Sequence, residues 1–219
     1  LERKIIVMVG FHPSKKYDPY IKDKPLLYDC LDALENQTRR DLIDEIYVVQ
    51  NNIKGVKGMI KSRNRMRDFA SNLGMDLLNV DSDTILPPDA IEKLISVPEE
   101  YAVVGGLYKT NRIDYATFSR LTDNEGQPLD FYVNPKIGQK GIPFTYVTVP
   151  NDDYDWHPVG GTGAGCCLYR IPFLNNVEFT TTWKGVTFSK ADDQIVCLHA
   201  QDKGLKIASH FGVRCEHRR

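Results

Sequence analysis

At 219 residues, the chain has ample length for a buried core and suits one large domain or two small ones. Hydrophobic content of 42% and charged content of 26% are ordinary for a soluble globular protein, and a net charge of −1 argues against a nucleic-acid-coating protein or a basic membrane-binding surface. No apolar run reaches the length of a membrane span and the N-terminus lacks the apolar core of a signal peptide, so a cytoplasmic location is expected. The first residue is Leu1 rather than Met, as in a piece of a longer chain. Cys30, Cys166, Cys167, Cys197 and Cys215 fit neither a disulfide framework nor a Cys-x-x-Cys zinc site. They read as small buried residues in a reducing compartment.

In chain order, Ile5 to Gly10 is predicted to form a buried strand, closing on a glycine where the backbone can turn. Leu27, Cys30, Leu31 and Leu34 recur at helical spacing, and the helix ends near Gln37. Ile46 to Gln50 is a second strand, closing on Asn51 and Asn52. Met66, Phe69, Ala70 and Leu73 give a second amphipathic helix, with Ser62 as its N-cap and Gly74 as its stop. Leu77 to Val80 is a third strand, blocked downstream by Pro87 and Pro88. A short helix over Ile91, Leu94 and Ile95 and a strand through Ala102 to Gly105 follow. This alternation predicts an α/β fold with a largely parallel sheet. Residues 108 to 160 are rich in aromatics, turns and short β-like pieces such as Thr145 to Val149. With no repeat or linker, the chain is expected to be one domain over 1–219, regular α/β in 1–105 and β-rich or loop-rich in 106–219. A last helix with Ile195 and Leu198 ends at Gly204, before a terminal segment reaching His217.

The most informative stretch is the third strand, which stops on Asp81 and Asp83. Two carboxylates at a strand end, where open α/β sheets bind ligands, are costly without a positive partner; a divalent cation carrying phosphates is the usual one. A solvated turn would also use these residues. Gly160 to Gly165 lacks the Gly-Lys-Ser/Thr ending of a phosphate loop and precedes a β-like run, Cys166 to Tyr169. It is either a loop in close approach to a ligand, through Gly161, Thr162 and Gly163, or a plain structural loop. Asp192 and Asp193 stand before the last helix: one carboxylate is explained by capping, and a second points to a general base. Helix position predicts that Asp193 stays ionised near neutral pH. His217 closes the terminal segment and suits an oxygen-rich site for a cation such as Mn²⁺, with His210 as the fallback. Phe11, His12, Asn51, Asn52, Arg63 and Asn64 lie at element ends facing one sheet edge, where a nucleotide would be cradled. Arg63 lies either there or on the solvated face of its helix. Tyr108, Trp156 and His157 are candidates for stacking on a ligand ring, or packing residues.

Taken together, Ser62-Arg63-Asn64, Asn79-Val80-Asp81-Ser82-Asp83, Gly161 to Leu168, Asp192-Asp193, and Gly204 to Ile207 leading to Val213 to His217 resemble a GT-A-fold glycosyltransferase of the family 2 type. The order matches from Ile5 to His217. Ser62 replaces the usual Ala, Asp192 the frequent Glu, and Gln50-Asn51-Asn52 stands where relatives often place a base-contacting aspartate. The resemblance implies a Rossmann-like three-layer α/β/α sandwich with a mostly parallel central sheet and a small β-rich acceptor-side region. It also implies a transferase of the hexosyltransferase type, using a UDP- or GDP-linked sugar and a glycan, lipid-linked or protein acceptor. Asp83 would bind Mn²⁺ or Mg²⁺ directly, with His217 as a further ligand; Asp81 would contact the ribose or reach the metal through water, and Ser82 would lie at the nucleotide sugar. Asp193 would take the acceptor proton in an inverting displacement while Asp192 orients the substrate. Two other readings remain: a haloacid-dehalogenase-like phosphohydrolase, whose nucleophile strand Val80 to Thr84 superficially resembles, and a non-catalytic sugar- or nucleotide-binding module.

Overall fold

The computed structural model describes residues 4–11, 25–50, 55–108, 115–120, 132–133, 140–188 and 192–217. The N-terminal part alternates β1 (Ile5–Phe11), α1 (Pro25–Glu35), β2 (Ile43–Gln50), α2 (Val56–Leu73), β3 (Asp76–Asp81), β4 (Thr84–Ile85), α3 (Ala90–Ser96) and β5 (Tyr101–Tyr108). Short strands follow: β6 (Ala116–Arg120), β7 (Tyr132–Val133), β8 (Lys140–Gly141), β9 (Phe144–Thr148) and β10 (Trp156–Pro158). The chain then runs through β11 (Cys166–Tyr169), α4 (Ile171–Asn176), β12 (Thr182–Trp183), β13 (Val186–Thr187), α5 (Asp192–Asp202) and β14 (Lys206–His217).

The main sheet has the order β10-β14-β5-β11-β3-β1-β2, with β4 pairing the end of β14. β1 pairs in parallel with β2 and β3, and β14 pairs in parallel with β5. Antiparallel β11 lies between β3 and β5, so those two also share one direction. Five of the eight strands therefore run one way, and their C-terminal ends reach a common edge. Alternation sorts the core onto two faces. Ile5, Val7, Val9, Leu78 and Val80 meet Cys30 and Leu34 of α1 and Ile91 and Leu94 of α3. Ile6, Met8, Leu77, Cys167 and Tyr169 meet Met66 and Ala70 of α2, Phe173 of α4 and Val196 of α5. The result is a three-layer α/β/α sandwich with a mostly parallel central sheet. All five cysteines are free and buried in it.

The second helix corrects its predicted start. It begins at Val56, behind the N-cap Gly55, and Ser62 is an interior residue. Its buried stripe is Gly58, Arg63, Met66 and Ala70, continued by a polar side chain that a purely apolar pattern overlooks. Phe69 and Leu73, expected in that stripe, are partly exposed. Gly74 ends the helix as expected, at φ 66° with its N–H bonded to the carbonyls of Ala70 and Ser71. Strand β5, expected to close at Gly105, continues to Tyr108. The short α4 and the β12–β13 hairpin have no counterpart in the periodicity reading.

Candidate functional site

Where β1 and β3 end, the backbone is pinned before any ligand is considered. Asp81 N–H donates to the Gly165 carbonyl at 2.9 Å, and Ser82 N–H donates to the Gly10 carbonyl at 3.2 Å. Parity puts Leu77, Asn79 and Asp81 on the face covered by α2 and α5. There Arg63 is only 3% exposed. Its Nη2 lies 3.4 Å from Asp81 Oδ1, and its Nη1 donates to Asp192 Oδ2. Burial works against the Arg63 charge, but Asp81 and Asp192 more than offset it and its pKa is raised. The solvated-face alternative for Arg63 is thereby overturned. One guanidinium joins the Asp-x-Asp strand end to the acidic pair at the start of α5.

A cavity of about 280 Å³ opens beside this ion pair. Met8, Val49, Val56 and Met59 supply its apolar walls. Ser62, Arg63, Asn79 and Asp81 supply polar groups. The arrangement, a mostly apolar slot with a few polar groups at the carboxyl edge of a sheet, is that of a ligand site. Asn64, by contrast, is committed to the fold. Its Nδ2 donates to the Phe179 carbonyl and its Oδ1 accepts from the Phe179 N–H, both at 2.8 Å. His12, Asn51 and Asn52 lie outside the described residues, as does the side chain of Phe11.

Asp193 is half-buried in the first turn of α5, its Oδ1 accepting from Gln194 N–H at 2.8 Å. Burial, reinforced by the neighbouring Asp192 carboxylate, raises its pKa from 3.8 to about 6. This corrects the helix-terminus expectation. Asp193 is still mostly ionised at pH 7, but desolvation and like charge outweigh the helix end. Asp81 is also raised, by burial that Arg63 offsets only in part and that Asp83 and Asp192 add to. Tyr108 completes the site: burial, Asp193 and Asp81 push its phenol well above the usual range. Its ring meets the His217 ring edge-on at 5.5 Å.

His217 Nε2 lies 3.2 Å from Asp83 Oδ2, so β14 and the Asp-x-Asp turn meet as the sequence suggested. Asp81, turned toward Arg63, does not join them. Among the described residues, no group of three or more His, Cys, Asp or Glu side chains stands ready to hold a metal ion. A carboxylate oxygen beside an imidazole nitrogen nevertheless fits a cation that brings its other ligands as phosphate oxygens and water. His210 is buried and accepts from Gly212 N–H through Nδ1 at 3.2 Å.

The glycine run makes its close approaches to protein. A Cβ on Gly160 would lie 2.4 Å from Arg120 N, and one on Gly163 would lie 2.0 Å from Tyr108 Oη. Gly161 is buried against Cys197 and Phe144, and Thr162 is buried against Gly105, so both face the fold rather than a pocket. Gly163, half-buried beside Tyr108, is the member nearest the acidic groups. Trp156 packs edge-on against Tyr101 at 5.1 Å, and His157 packs on Phe211 at 4.5 Å while pairing with Asp153. Of the three aromatic candidates, Tyr108 alone stands at this site. Asn79 was passed over in the sequence, although a polar residue inside the apolar run from Leu77 to Val80 marks a buried group in need of a partner.

No family model matches the chain, and no curated protein matches it. Solved structures match through their architecture. The A197 protein from STIV superposes with a TM-score of 0.59 at 13% identity, covering 99% of this chain and 86% of that one. GalNAc-T7, a glycosyltransferase solved with UDP, GalNAc and Mn²⁺, superposes with a TM-score of 0.60 at 10% identity. The match covers 99% of this chain and 43% of that one. The fold is GT-A-like. At such identities the likeness shows architecture alone, and the chain spans less than half the length of the GalNAc-T7 chain. No described helix is long and apolar enough to cross a membrane.

Proposed function

We propose that this chain is a glycosyltransferase that transfers a sugar from a nucleotide-diphosphate donor to a hydroxyl acceptor. The observation that carries the reading is the Arg63 bridge. It joins a strand-end carboxylate, Asp81, which lines the cavity with Arg63, to Asp192, the first member of an acidic pair distant in sequence. The GT-A-like fold and a neighbour solved with UDP, GalNAc and Mn²⁺ support the same class.

The cavity takes the nucleoside, with the diphosphate directed toward Asp83 and His217. These two residues would hold Mn²⁺ or Mg²⁺. When bound, the cation supplies Lewis-acid stabilisation of the charge that develops on the departing diphosphate. The acceptor hydroxyl oxygen forms a bond to the anomeric carbon as the bond from that carbon to the diphosphate oxygen breaks. The electron pair leaves with the diphosphate, and the hydroxyl proton passes to the Asp193 carboxylate. A base with a pKa of about 6 is well matched to neutral pH, ionised yet able to keep a proton as the hydroxyl acidifies. Asp192, held by Arg63, orients the start of α5 so that its neighbour stays available. Inversion of the anomeric centre follows from this single displacement.

Two measurements test the reading: the melting temperature with Mn²⁺ plus UDP or GDP, and turnover of labelled sugar nucleotides. A shift with turnover is expected. A shift without turnover would leave a binding module, and release of phosphate from simple esters would favour the phosphohydrolase. Retention of anomeric configuration would remove the base role from Asp193.

A further inference from the structure

Tyr108 carries a hydroxyl that the fold positions without using. Strand β5 delivers the residue to the carboxyl edge of the sheet, paired with Cys215 of β14, and there it is half-buried rather than sealed. Its ring meets the His217 ring edge-on at 5.5 Å, and His217 Nε2 lies 3.2 Å from Asp83 Oδ2. Two glycines make room for it. A Cβ on Gly165 would lie 3.1 Å from Tyr108 Cε1 and 3.4 Å from Asp81 Oδ2, and one on Gly163 would overlap the Tyr108 hydroxyl oxygen. Asp193 and Asp81 are the carboxylates whose charges act most on the phenol. Among the described residues, none shares a hydrogen bond with this hydroxyl.

We propose that the Tyr108 hydroxyl donates a hydrogen bond to the β-phosphate of the nucleotide-diphosphate donor and stabilises that phosphate as it departs. This rests on the glycosyltransferase reading given above and adds a residue to the same site. With the cation at Asp83 and His217 and the base at Asp193, the β-phosphate, esterified to the anomeric carbon, lies between them. Tyr108 stands at that junction, its ring against His217 and its hydroxyl at Gly163. A tyrosine hydroxyl keeps its proton at neutral pH and can donate it to a phosphate oxygen. Arg63, the kind of side chain that ordinarily meets a phosphate, is already engaged by Asp81 and Asp192. The hydrogen bond from Tyr108 strengthens as the departing oxygens gain charge, so it favours the transition state over the bound donor.

The test is isothermal titration of the full chain and of Tyr108→Phe, each with Mn²⁺ and with UDP, UMP, GDP and GMP. The substitution removes the hydroxyl and keeps the ring, and the monophosphates lack the β-phosphate. For whichever base binds, Tyr108→Phe should lose about tenfold or more in affinity for the diphosphate and stay within about twofold for the monophosphate. Its melting temperature without nucleotide should match that of the unaltered chain, because the hydroxyl has no partner to lose. An equal loss for diphosphate and monophosphate, or no loss for either, would overturn the assignment while leaving the glycosyltransferase reading intact. So would a variant that melts well below the unaltered chain or fails to fold, since the hydroxyl would then serve the protein itself. Binding of none of these nucleotides to the unaltered chain would overturn both.

Discussion

Replacing Asp193 by Asn tests the site through stability as well as through rate. The folded carboxyl titrates near pH 6 against an ordinary 3.8. Between those values the unfolded chain binds fewer protons than the folded one, so wild-type stability falls as pH rises through that window. Above it the penalty is fully present, and below pH 3.8 it is absent. The shift corresponds to about 3 kcal/mol at 1.36 kcal/mol per pH unit, an upper figure because the side chain keeps some solvent contact. Asn is nearly isosteric and can still accept from Gln194 N–H. Asp193→Asn should therefore gain roughly 1–3 kcal/mol over wild type at pH 8 and nothing at pH 4, read by urea denaturation across that range. The same substitution should lower kcat by roughly 10²- to 10⁴-fold with donor affinity unchanged, and wild-type kcat/KM should fall as pH drops below about 6. A stability difference that stays constant from pH 4 to pH 8 would refute the buried, charge-crowded environment on which both expectations stand.

Asp83→Ala or His217→Ala should weaken Mn²⁺-dependent UDP or GDP binding in calorimetry, and full Mn²⁺ dependence in both variants would remove them as the cation's ligands. Arg63→Leu leaves Asp192 buried without its partner and should cost about 3–5 kcal/mol in urea unfolding; a loss below about 1 kcal/mol would show the ion pair to be exchangeable with solvent. Gly105→Ala would place a Cβ 1.7 Å from Thr162 Oγ1, so it should destabilise by about 1–3 kcal/mol through overpacking, measured in the same assay. An unchanged midpoint would mean that the glycine run yields easily.

Much of the sheet was legible because buried parallel strands are written as short apolar runs, and β1, β3 and β5 are such runs, ending at Phe11, Asp81 and Tyr108. Helix α2 was legible only in its second half. Its first turns pack with Gly58 and Arg63, a glycine and a cation, which carry no hydrophobic signal. The site followed the same division. Asp83 and His217, at ends of elements, were placed together correctly by chain order, and the structure sets them 3.2 Å apart. The Asp81–Arg63–Asp192 contact was not legible, because nothing in the spacing from residue 63 to residue 192 reveals a guanidinium between two carboxylates. Asp193 was placed correctly but its environment was not: helix position is a local property, whereas desolvation depends on what the distant Tyr108, Asp81 and Arg63 bring to it.

The glycine run makes its close approaches to protein, as its structural alternative requires. Its small residues are demanded by protein, since Arg120, Tyr108 and the Thr162–Gly105 contact fill the space that side chains would occupy. Gly160 and Gly161 donate to the Phe118 carbonyl, and Thr117 Oγ1 donates back to the Gly161 carbonyl, so the run is stitched to β6. At its other end the Gly165 and Ala164 carbonyls take the Asp81 N–H and Asn79 Nδ2. The run is therefore a brace between the β-rich part of the chain and the strand that carries the candidate donor site. By accepting from Asn79 Nδ2 it fixes that amide within β3, and by standing against Tyr108 it keeps the phenol near the acidic groups. The glycines shape the candidate site at one remove, through the two side chains whose positions they fix.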